Sequence, residues 1–277
     1  MGTLYLVATP IGHLEDVTLR ALRVLREVSL VAAEDTRTTR KLLSHHGIRQ
    51  RLVSYNEHNM RARTQRLLAA LEEGDIAFAS EAGTPGVSDP GFELSVAAVE
   101  AGHDVVAVPG ASSLLTALVA SALPMRQFTF LGFLPRRAGD RKRLLQPLAA
   151  ESRTLVAFES PHRLRRTLED LRDVLGERRL AIGRELTKLH EEMFRGTISE
   201  ALAHFAEPRG EFTIVVEGTG VGAQGLAPLR DAAEVEARRE LGRLRGEAVK
   251  AREAVRRVAE TTGLSHRDVY RMWLERR

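Results

Sequence analysis

Short apolar runs alternate with segments of helical period along the N-terminal part of the chain. Thr3 to Ala8, Ser29 to Ala33, Leu52 to Tyr55, Asp75 to Ala79 and Asp104 to Val108 have the length and side-chain content of buried strands. Between them, Glu15 to Glu27, the stretch to His46 that Gly47 stops, Arg61 to Glu72 and residues 91–101 space their apolar positions as helices do. Five strands alternating with four helices predict a mainly parallel sheet covered by helices on both faces.

Pro109-Gly-Ala-Ser-Ser113 opens a further helix that ends before Pro124, and Ser121 to Gln127 reads as the passage into a second α/β unit. That unit takes strands at Phe128–Leu131, Arg153–Phe158, Arg179–Ile182, Glu192–Thr197 and Glu211–Val216, with helices at Gly139–Ala149, Pro161–Leu175 and Ser199–Phe205. Gly218 to Pro228 is glycine-rich without periodicity, and the rest is helical in pattern. The expected organisation is an N-terminal α/β domain over 1–120, a second α/β domain over 121–218, a linker over 219–229 and a small all-α domain over 230–277.

Composition narrows the chemistry. Of 277 residues 43% are hydrophobic, enough for a sizeable core, and the absence of cysteine excludes disulfides, thiolate catalysis and cysteine zinc sites. The chain opens on a strand-like run without a basic leader, and no apolar stretch nears the roughly 18 residues of a membrane span, so a cytoplasmic protein without membrane association is expected. The net charge of +4 sits in the tail, where 13 Lys or Arg face 9 Asp or Glu over 230–277. Such a tail reads either as a solvated helical surface or as a nucleic-acid contact.

The candidate chemistry lies where strands end. Ser80-Glu-Ala-Gly-Thr-Pro-Gly-Val-Ser-Asp-Pro-Gly91 joins a strand to a helix; its glycines and prolines make tight turns and let main chain approach a ligand. Thr9-Pro-Ile-Gly12 and Pro109–Ser113 stand at two more strand ends of the same sheet, where open α/β sheets bind ligands. Three loops of small residues suit a bulky ligand recognised largely through main-chain groups. Gly220-Val-Gly-Ala-Gln-Gly225 matches a dinucleotide fingerprint, but no strand follows it, so it is read as linker. A phosphate-binding P-loop, H-E-x-x-H and G-x-S-x-G are all absent, and no metal site is expected.

Thr9-Pro-Ile-Gly-His-Leu-Glu-Asp-Val-Thr18, Ala33-Glu-Asp-Thr-Arg37, Ser80 to Gly91, Val108-Pro-Gly110, Gly132-Phe-Leu-Pro-Arg136, Phe158-Glu-Ser-Pro-His-Arg163 and Arg184-Glu-Leu-Thr-Lys188 occur in order. The series resembles that of the bacterial 16S rRNA (cytidine-2′-O)-methyltransferase family, within the tetrapyrrole-methylase-like superfamily, over roughly residues 3–217. The resemblance implies two α/β domains of tetrapyrrole-methylase type with the ligand cleft between them and S-adenosylmethionine as methyl donor. It also implies 16S rRNA of the small ribosomal subunit as substrate, with methylation at a cytidine of the decoding region, and a homodimer. Carried over by position, it places the donor at Pro10, Ser80, Ala82, Gly83, Val87, Ser88, Ser113, Ala157, Phe158 and Thr213. His13, Glu81 and Ala111 depart from the Asn, Asp and Pro usual in the family, and His13 is expected to forfeit an Asn-type turn hydrogen bond.

Methyl transfer to a ribose hydroxyl gains most from positioning and further from a base that takes the proton. Glu185, Lys188 and His162 are the candidate catalytic groups; against that, His162 reads equally as a helix start after Pro161, and Glu185 with Lys188 as a structural ion pair. For RNA, Arg136, Arg137, Arg141, Lys142 and Arg143 form one basic cluster, Arg163, Arg165 and Arg166 a second, and the tail a third. The tail reads as two helices about Thr261-Thr-Gly-Leu264, with Tyr270 and Trp273 in a small core. Two rival readings are a methylase of a tetrapyrrole or other small molecule, and a non-catalytic ligand sensor whose tail binds DNA.

Overall fold

In a computed structural model the chain forms two compact units, residues 1–219 and 220–277. The structure describes residues 2–87, 89–219, 232–247, 249–262 and 266–274. The first sheet comprises β1 (Thr3–Val7), β2 (Leu30–Ala33), β3 (Leu52–Ser54), β4 (Ile76–Ala79) and β5 (Asp104–Val108), ordered β3-β2-β4-β1-β5 with every pair parallel. Strand alternation separates two layers. Val31, Ala77 and Val108 pack with α1 (Leu19–Glu27) and α2 (Thr36–His45). Leu4, Ala32 and Phe78 pack with α3 (Met60–Glu73) and α4 (Gly91–Glu100) on the other side. From β1 the chain leaves through α1 toward β2, and from β4 it leaves through α4 toward β5, in opposite directions along the sheet. The neighbours β1 and β4 thus form a topological switch point, and a crevice opens beyond their carboxyl ends.

Local chemistry sets the helix boundaries. The single helix expected over Glu15–Glu27 is split into a 3₁₀ turn at Leu14–Asp16 and α1, because the Thr18 side chain, on extended backbone, accepts the Ala21 N–H at 3.1 Å and caps α1. Asp35 caps α2 through the Arg37 N–H at 2.7 Å.

The second sheet comprises β6 (Phe128–Phe133), β7 (Thr154–Glu159), β8 (Arg179–Arg184), β9 (Glu192–Thr197) and β10 (Phe212–Val216), ordered β6-β7-β10-β8-β9, with only β6 and β7 parallel. One face, with Leu155, Ile182 and Ile214, is covered by α7 (Leu164–Leu175), α8 (Ile198–His204) and the end of α6 (Ala138–Leu145). The helix expected to run to Ala149 changes to 3₁₀ form at Gln146, where Pro147 lacks an N–H for the α-helical ladder. The other face receives α5 (Ser113–Ala120), whose Leu114, Ala117 and Leu118 pack on Val156, Ala181 and Val215. A helix that begins at the end of the first sheet is therefore cored against the second, and it ties the two sheets together.

The second unit contains α9 (Ala232–Gly246), α10 (Ala251–Thr262) and α11 (His266–Leu274) around Leu241, Leu244, Val255, Val258, Val269 and Met272. Trp273 packs against this core with the Arg245 guanidinium 4.5 Å from its ring. Tyr270 corrects the expectation: it lies about 100° round the helix from Val269 and is exposed. The fingerprint-like Gly220–Gly225, nearly all of the expected linker, and Gly263 and Leu264 lie outside the described residues.

Candidate active site

A cavity of about 570 Å³ opens at the switch point of the first sheet and extends to the second. Its first wall is a set of loops tied through main-chain groups, two bonds running main chain to main chain and three from hydroxyls to carbonyls. The Thr9 N–H donates to the Gly83 carbonyl at 2.9 Å, and the Gly83 N–H returns to Thr9 O at 3.0 Å. The Thr9 hydroxyl donates to Ser80 O at 3.2 Å and the Ser80 hydroxyl to Gly83 O at 2.8 Å, while Thr84 Oγ1 reaches Ala111 O at 3.2 Å and so draws in the third loop. A Cβ on Gly110 would stand 2.8 Å from that of Ala8, so only glycine allows this approach.

Beyond β2, the cavity is lined by Glu34 and, from α2, by Thr38, Thr39 and Lys41; Glu81 and Asp89 add two more carboxylates. Asp89 Oδ1 accepts the N–H groups of Gly86 and Gly91, both at 2.8 Å, and holds the glycine-rich loop in shape. Glu34 Oε2 accepts the Glu81 N–H at 2.9 Å. Burial pushes the Glu34 carboxyl above its ordinary range; the Glu81 N–H offsets part of this, and Asp89 and Glu81 add repulsion.

The second wall is made of side chains. Phe133 and Phe158 meet at 5.5 Å between ring centroids and line the cavity with Thr213, Phe212 and Gly183. Next to them the turn after β8 is held in an uncommon shape, with Glu185 at φ 47° and Thr187 at φ 66°. Lys188 Nζ donates to Glu185 Oε1 at 3.0 Å and to Glu211 Oε2 at 2.9 Å, and Glu185 Oε1 also accepts the Glu211 N–H at 2.9 Å. Burial draws Lys188 down, but its hydrogen bonds to Glu211 and Glu185 outweigh burial and leave its pKa above the ordinary lysine value. Burial likewise raises Glu185, and the Glu211 N–H with Lys188 brings it below the usual carboxylate range. The two walls meet where Gly12 packs on this turn: a Cβ there would lie 2.5 Å from Lys188 Cγ, and the His13 N–H donates to Thr187 Oγ1 at 3.1 Å.

Of the expected donor contacts, Pro10, Ser80, Ala82, Val87, Ser113, Phe158 and Thr213 line the cavity. Gly83 does not; its N–H and carbonyl are both engaged by Thr9. Ala157 alternates to the face of the second sheet covered by α7 and α8, and Ser88 lies outside the described residues. His13 corrects an expectation, since its Nδ1 accepts the Glu15 N–H at 3.3 Å and caps the 3₁₀ turn. Among the catalytic candidates Lys188 lines the cavity and Glu185 stands behind it. His162 does not belong to it: the turn that follows Pro161 sends this side chain outward to a separate cleft with Arg165, Arg166 and Pro208.

The expected RNA contacts divide. Arg141 is 3% exposed and pairs with Asp170 at 2.5 Å while donating to the Pro135 carbonyl at 3.0 Å, which makes it a structural residue. Lys142 bridges Asp170 and Asp173 at 3.2 and 2.9 Å. Arg163 pairs with Glu159 and donates to Leu134 O, and Arg165 donates to Leu202 O and Phe205 O. Arg136, Arg137 and Arg143 remain exposed, the last with Asp140 at 3.4 Å. Sequence reasoning passed over Glu34, Lys41, Phe133 and Glu211; the first and third lie within quoted motifs, but only folding shows that they face the cavity.

Residues 3–202 match the family described as Tetrapyrrole (Corrin/Porphyrin) Methylases. Among solved structures, uroporphyrin-III C-methyltransferase from Thermus thermophilus, complexed with S-adenosylhomocysteine, superimposes with a TM-score of 0.57 at 23% identity over 78% of this chain and 97% of that one. The methyltransferase CobJ does so with a TM-score of 0.61 at 18% identity over 79% and 95%. These likenesses establish the fold. Ribosomal RNA small subunit methyltransferase I of Halalkalibacterium halodurans is 46% identical over 98% of this chain and 94% of its own length. The enzyme of the same name from Synechocystis is 47% identical over 99% and 98%. With the strand-end loops and the paired Lys188 turn in place, the chain belongs to the ribosomal RNA small subunit methyltransferase I family of the tetrapyrrole methylases.

Proposed function

We propose that this protein methylates the ribose 2′-hydroxyl of a cytidine in the decoding region of 16S rRNA, with S-adenosylmethionine as donor. The observation that carries the reading is the cavity at the switch point, which falls within the roughly 300–1,000 Å³ usual for small-ligand sites. Its lining fits the donor's chemistry: rings and main chain for an adenosine, carboxylates at Glu34, Glu81 and Asp89 for a ligand with cationic groups, and a close-approach glycine at Gly110.

When bound, S-adenosylmethionine supplies a sulfonium methyl that the ribose oxygen takes, while the sulfur keeps the electron pair of the broken bond. Pro10, Ala82, Val87, Ser113, Phe158 and Thr213 hold the donor; Ser80 and Gly83 shape the loop that does so. Lys188 stays an ammonium and orients the acceptor ribose as a hydrogen-bond donor. Glu185 and Glu211 position it. Glu34, whose Oε2 alone is engaged by Glu81 and whose affinity for a proton is raised by burial, receives the proton the hydroxyl loses. Arg136, Arg137 and Arg143 contact RNA phosphates near Phe133 at the cavity.

The protein acts in the cytoplasm as a homodimer. The apolar side chains Phe92, Val96 and Val99 on α4 and Leu115 and Val119 on α5 are exposed at helical spacing, and a second copy covers them. Among the described residues no helix is long and apolar enough to cross a membrane.

The test is transfer of labelled methyl to small subunits that lack the modification, with the product nucleoside identified by mass spectrometry. Enzyme-dependent 2′-O-methylcytidine is expected. Donor binding without labelled RNA would overturn the reading in favour of a small-molecule acceptor.

A further inference from the structure

The layer formed by α1 and α2 carries a charge that the sequence totals conceal. Residues 19–51 contain eight Lys or Arg against three Asp or Glu, although residues 1–229 as a whole balance at 28 of each. On α1, Arg20, Arg23 and Arg26 recur every third position on the exposed side, opposite the buried Ala21, Leu22 and Leu25. On α2, Arg37, Arg40 and Lys41 are exposed, opposite Leu42 and Leu43. The two helices share one core against the sheet, and Arg26 Nη2 donates to His46 O at 3.3 Å across their ends.

The layer is largely without compensation. Among the described residues no carboxylate lies within ion-pair distance of Arg20, Arg23, Arg40 or Lys41; Arg37 alone has one, Asp35 at 2.7 Å. Several basic groups elsewhere are neutralised internally, Arg141 and Lys142 by Asp170 and Asp173, Arg243 by Glu240 and Glu247, Arg256 by Glu260 and Arg257 by Glu253, whereas Arg136 and Arg137 are exposed without such a partner among the described residues but number only two. The layer also leads to the chemistry, since Thr38 and Lys41 line the cavity. Unpaired cations in such a stripe satisfy a polyanion, and counterion release from its phosphates drives the association.

We infer that the exposed side of α1 and α2 is the track on which the phosphate backbone of the substrate RNA lies as its target nucleotide enters the cavity past Lys41. This rests on the RNA-methylating reading above and moves the main electrostatic contact away from the α6 cluster. Guanidinium groups without internal partners keep their donors free for phosphate oxygens, whereas those of Arg141 and Arg163 are already engaged.

The experiment compares the full chain with the triple variant Arg20→Gln/Arg23→Gln/Arg40→Gln and with Arg256→Gln/Arg257→Gln, whose charges have partners. Binding to small ribosomal subunits is measured from 50 to 200 mM salt, S-adenosylmethionine binding by calorimetry, and folding by thermal melting. The triple variant should bind subunits about tenfold or more weakly at 100 mM salt. Its log–log salt slope should be shallower by about 2, since every phosphate left without its cation takes roughly 0.7–0.9 from the slope. Its donor affinity and melting temperature should match those of the parent, and the tail variant should change affinity less than threefold. An unchanged slope and affinity in the triple variant, with the parent still methylating RNA, overturns the track alone. A parent that binds donor but neither binds nor methylates subunits overturns the RNA reading itself, and the track with it.

Discussion

The two walls of the cavity reach the same space by opposite means. The first is a parallel sheet's strand-end loops, bound to one another through Thr9, Ser80, Gly83 and Ala111 mostly by main-chain groups. The second is a mixed sheet that offers side chains: the Phe133–Phe158 pair, Thr213 and an ammonium held between two carboxylates. Main-chain walls keep their form when a side chain is trimmed, because the hydrogen bonds belong to every residue type. A wall of side chains depends on each of them and on the glycines that leave them room. Substitutions on the second wall should therefore cost more activity than comparable ones on the first.

The largest effect is expected at Gly210, which is not among the residues that line the cavity. Its φ is +91°, and an added Cβ would stand 2.5 Å from Glu185 Cγ and 2.7 Å from its Cδ. Gly210→Ala pays in left-handed backbone strain of about 1–2 kcal/mol and must also displace Glu185, so the whole turn that carries Lys188 and meets Gly12 and His13 shifts with it. Methyl transfer should fall on the order of a hundredfold, with a lower melting temperature; wild-type turnover would show that Glu185 is not what holds Lys188. Lys188→Met comes next. It removes the ammonium and keeps much of the stem, so the expected loss in kcat/KM is about 10- to 100-fold, corresponding to roughly 1.4–2.8 kcal/mol. Donor affinity measured by calorimetry should change little, and a loss confined to donor binding would reassign Lys188 to the donor site.

The same contrast explains what was legible in the chain. β4 and the loop after it could be read directly, because four consecutive buried apolar residues and a run of Gly and Pro are local signals. The motif resemblance pointed to Arg184 through Lys188, yet the ion pair with Glu211 depends on a residue 23 positions away. Arg141 looked like a surface cation because its partner Asp170 is 29 residues distant, on another helix. Three basic residues on α1 were unremarkable in sequence, since nothing local reports that their neighbours lack carboxylates. Local patterns give strands, turns and caps; the charge state of a surface is decided by residues that only folding brings together or keeps apart.

On the first wall, Ser80→Ala removes the hydroxyl that donates to Gly83 O. The two backbone bonds between Thr9 and Gly83 remain, so the loop keeps its shape. One lost hydrogen bond is worth about 0.5–1.5 kcal/mol. Donor affinity should drop by a factor of roughly two to ten, with kcat nearly unchanged. A collapse in kcat comparable to that of Lys188→Met would break the distinction between the walls.

The smallest effect is a matter of pH. Asp35 caps the helix that brings Thr38, Thr39 and Lys41 to the first wall. The Arg37 guanidinium and then the Arg37 N–H hold its carboxyl down at about 2, against an ordinary value of 3.8. A carboxyl whose folded pKa is depressed contributes stability that is complete above the unfolded value and is lost as pH falls through the folded one. That contribution should therefore fade between about pH 4 and pH 2. Asparagine caps a helix as well as aspartate does but has no proton to take up. Asp35→Asn should melt close to the parent at pH 7, slightly lower for want of the charged pair, and should lose less of its melting temperature between pH 5 and pH 3. Because the pair is exposed, the difference should be small and should shrink further in high salt. Parallel melting profiles for the two proteins across that range would mean that the capped end of α2 is already frayed before Asp35 takes up its proton, and that the main-chain ties among the loops hold the first wall without help from this cap.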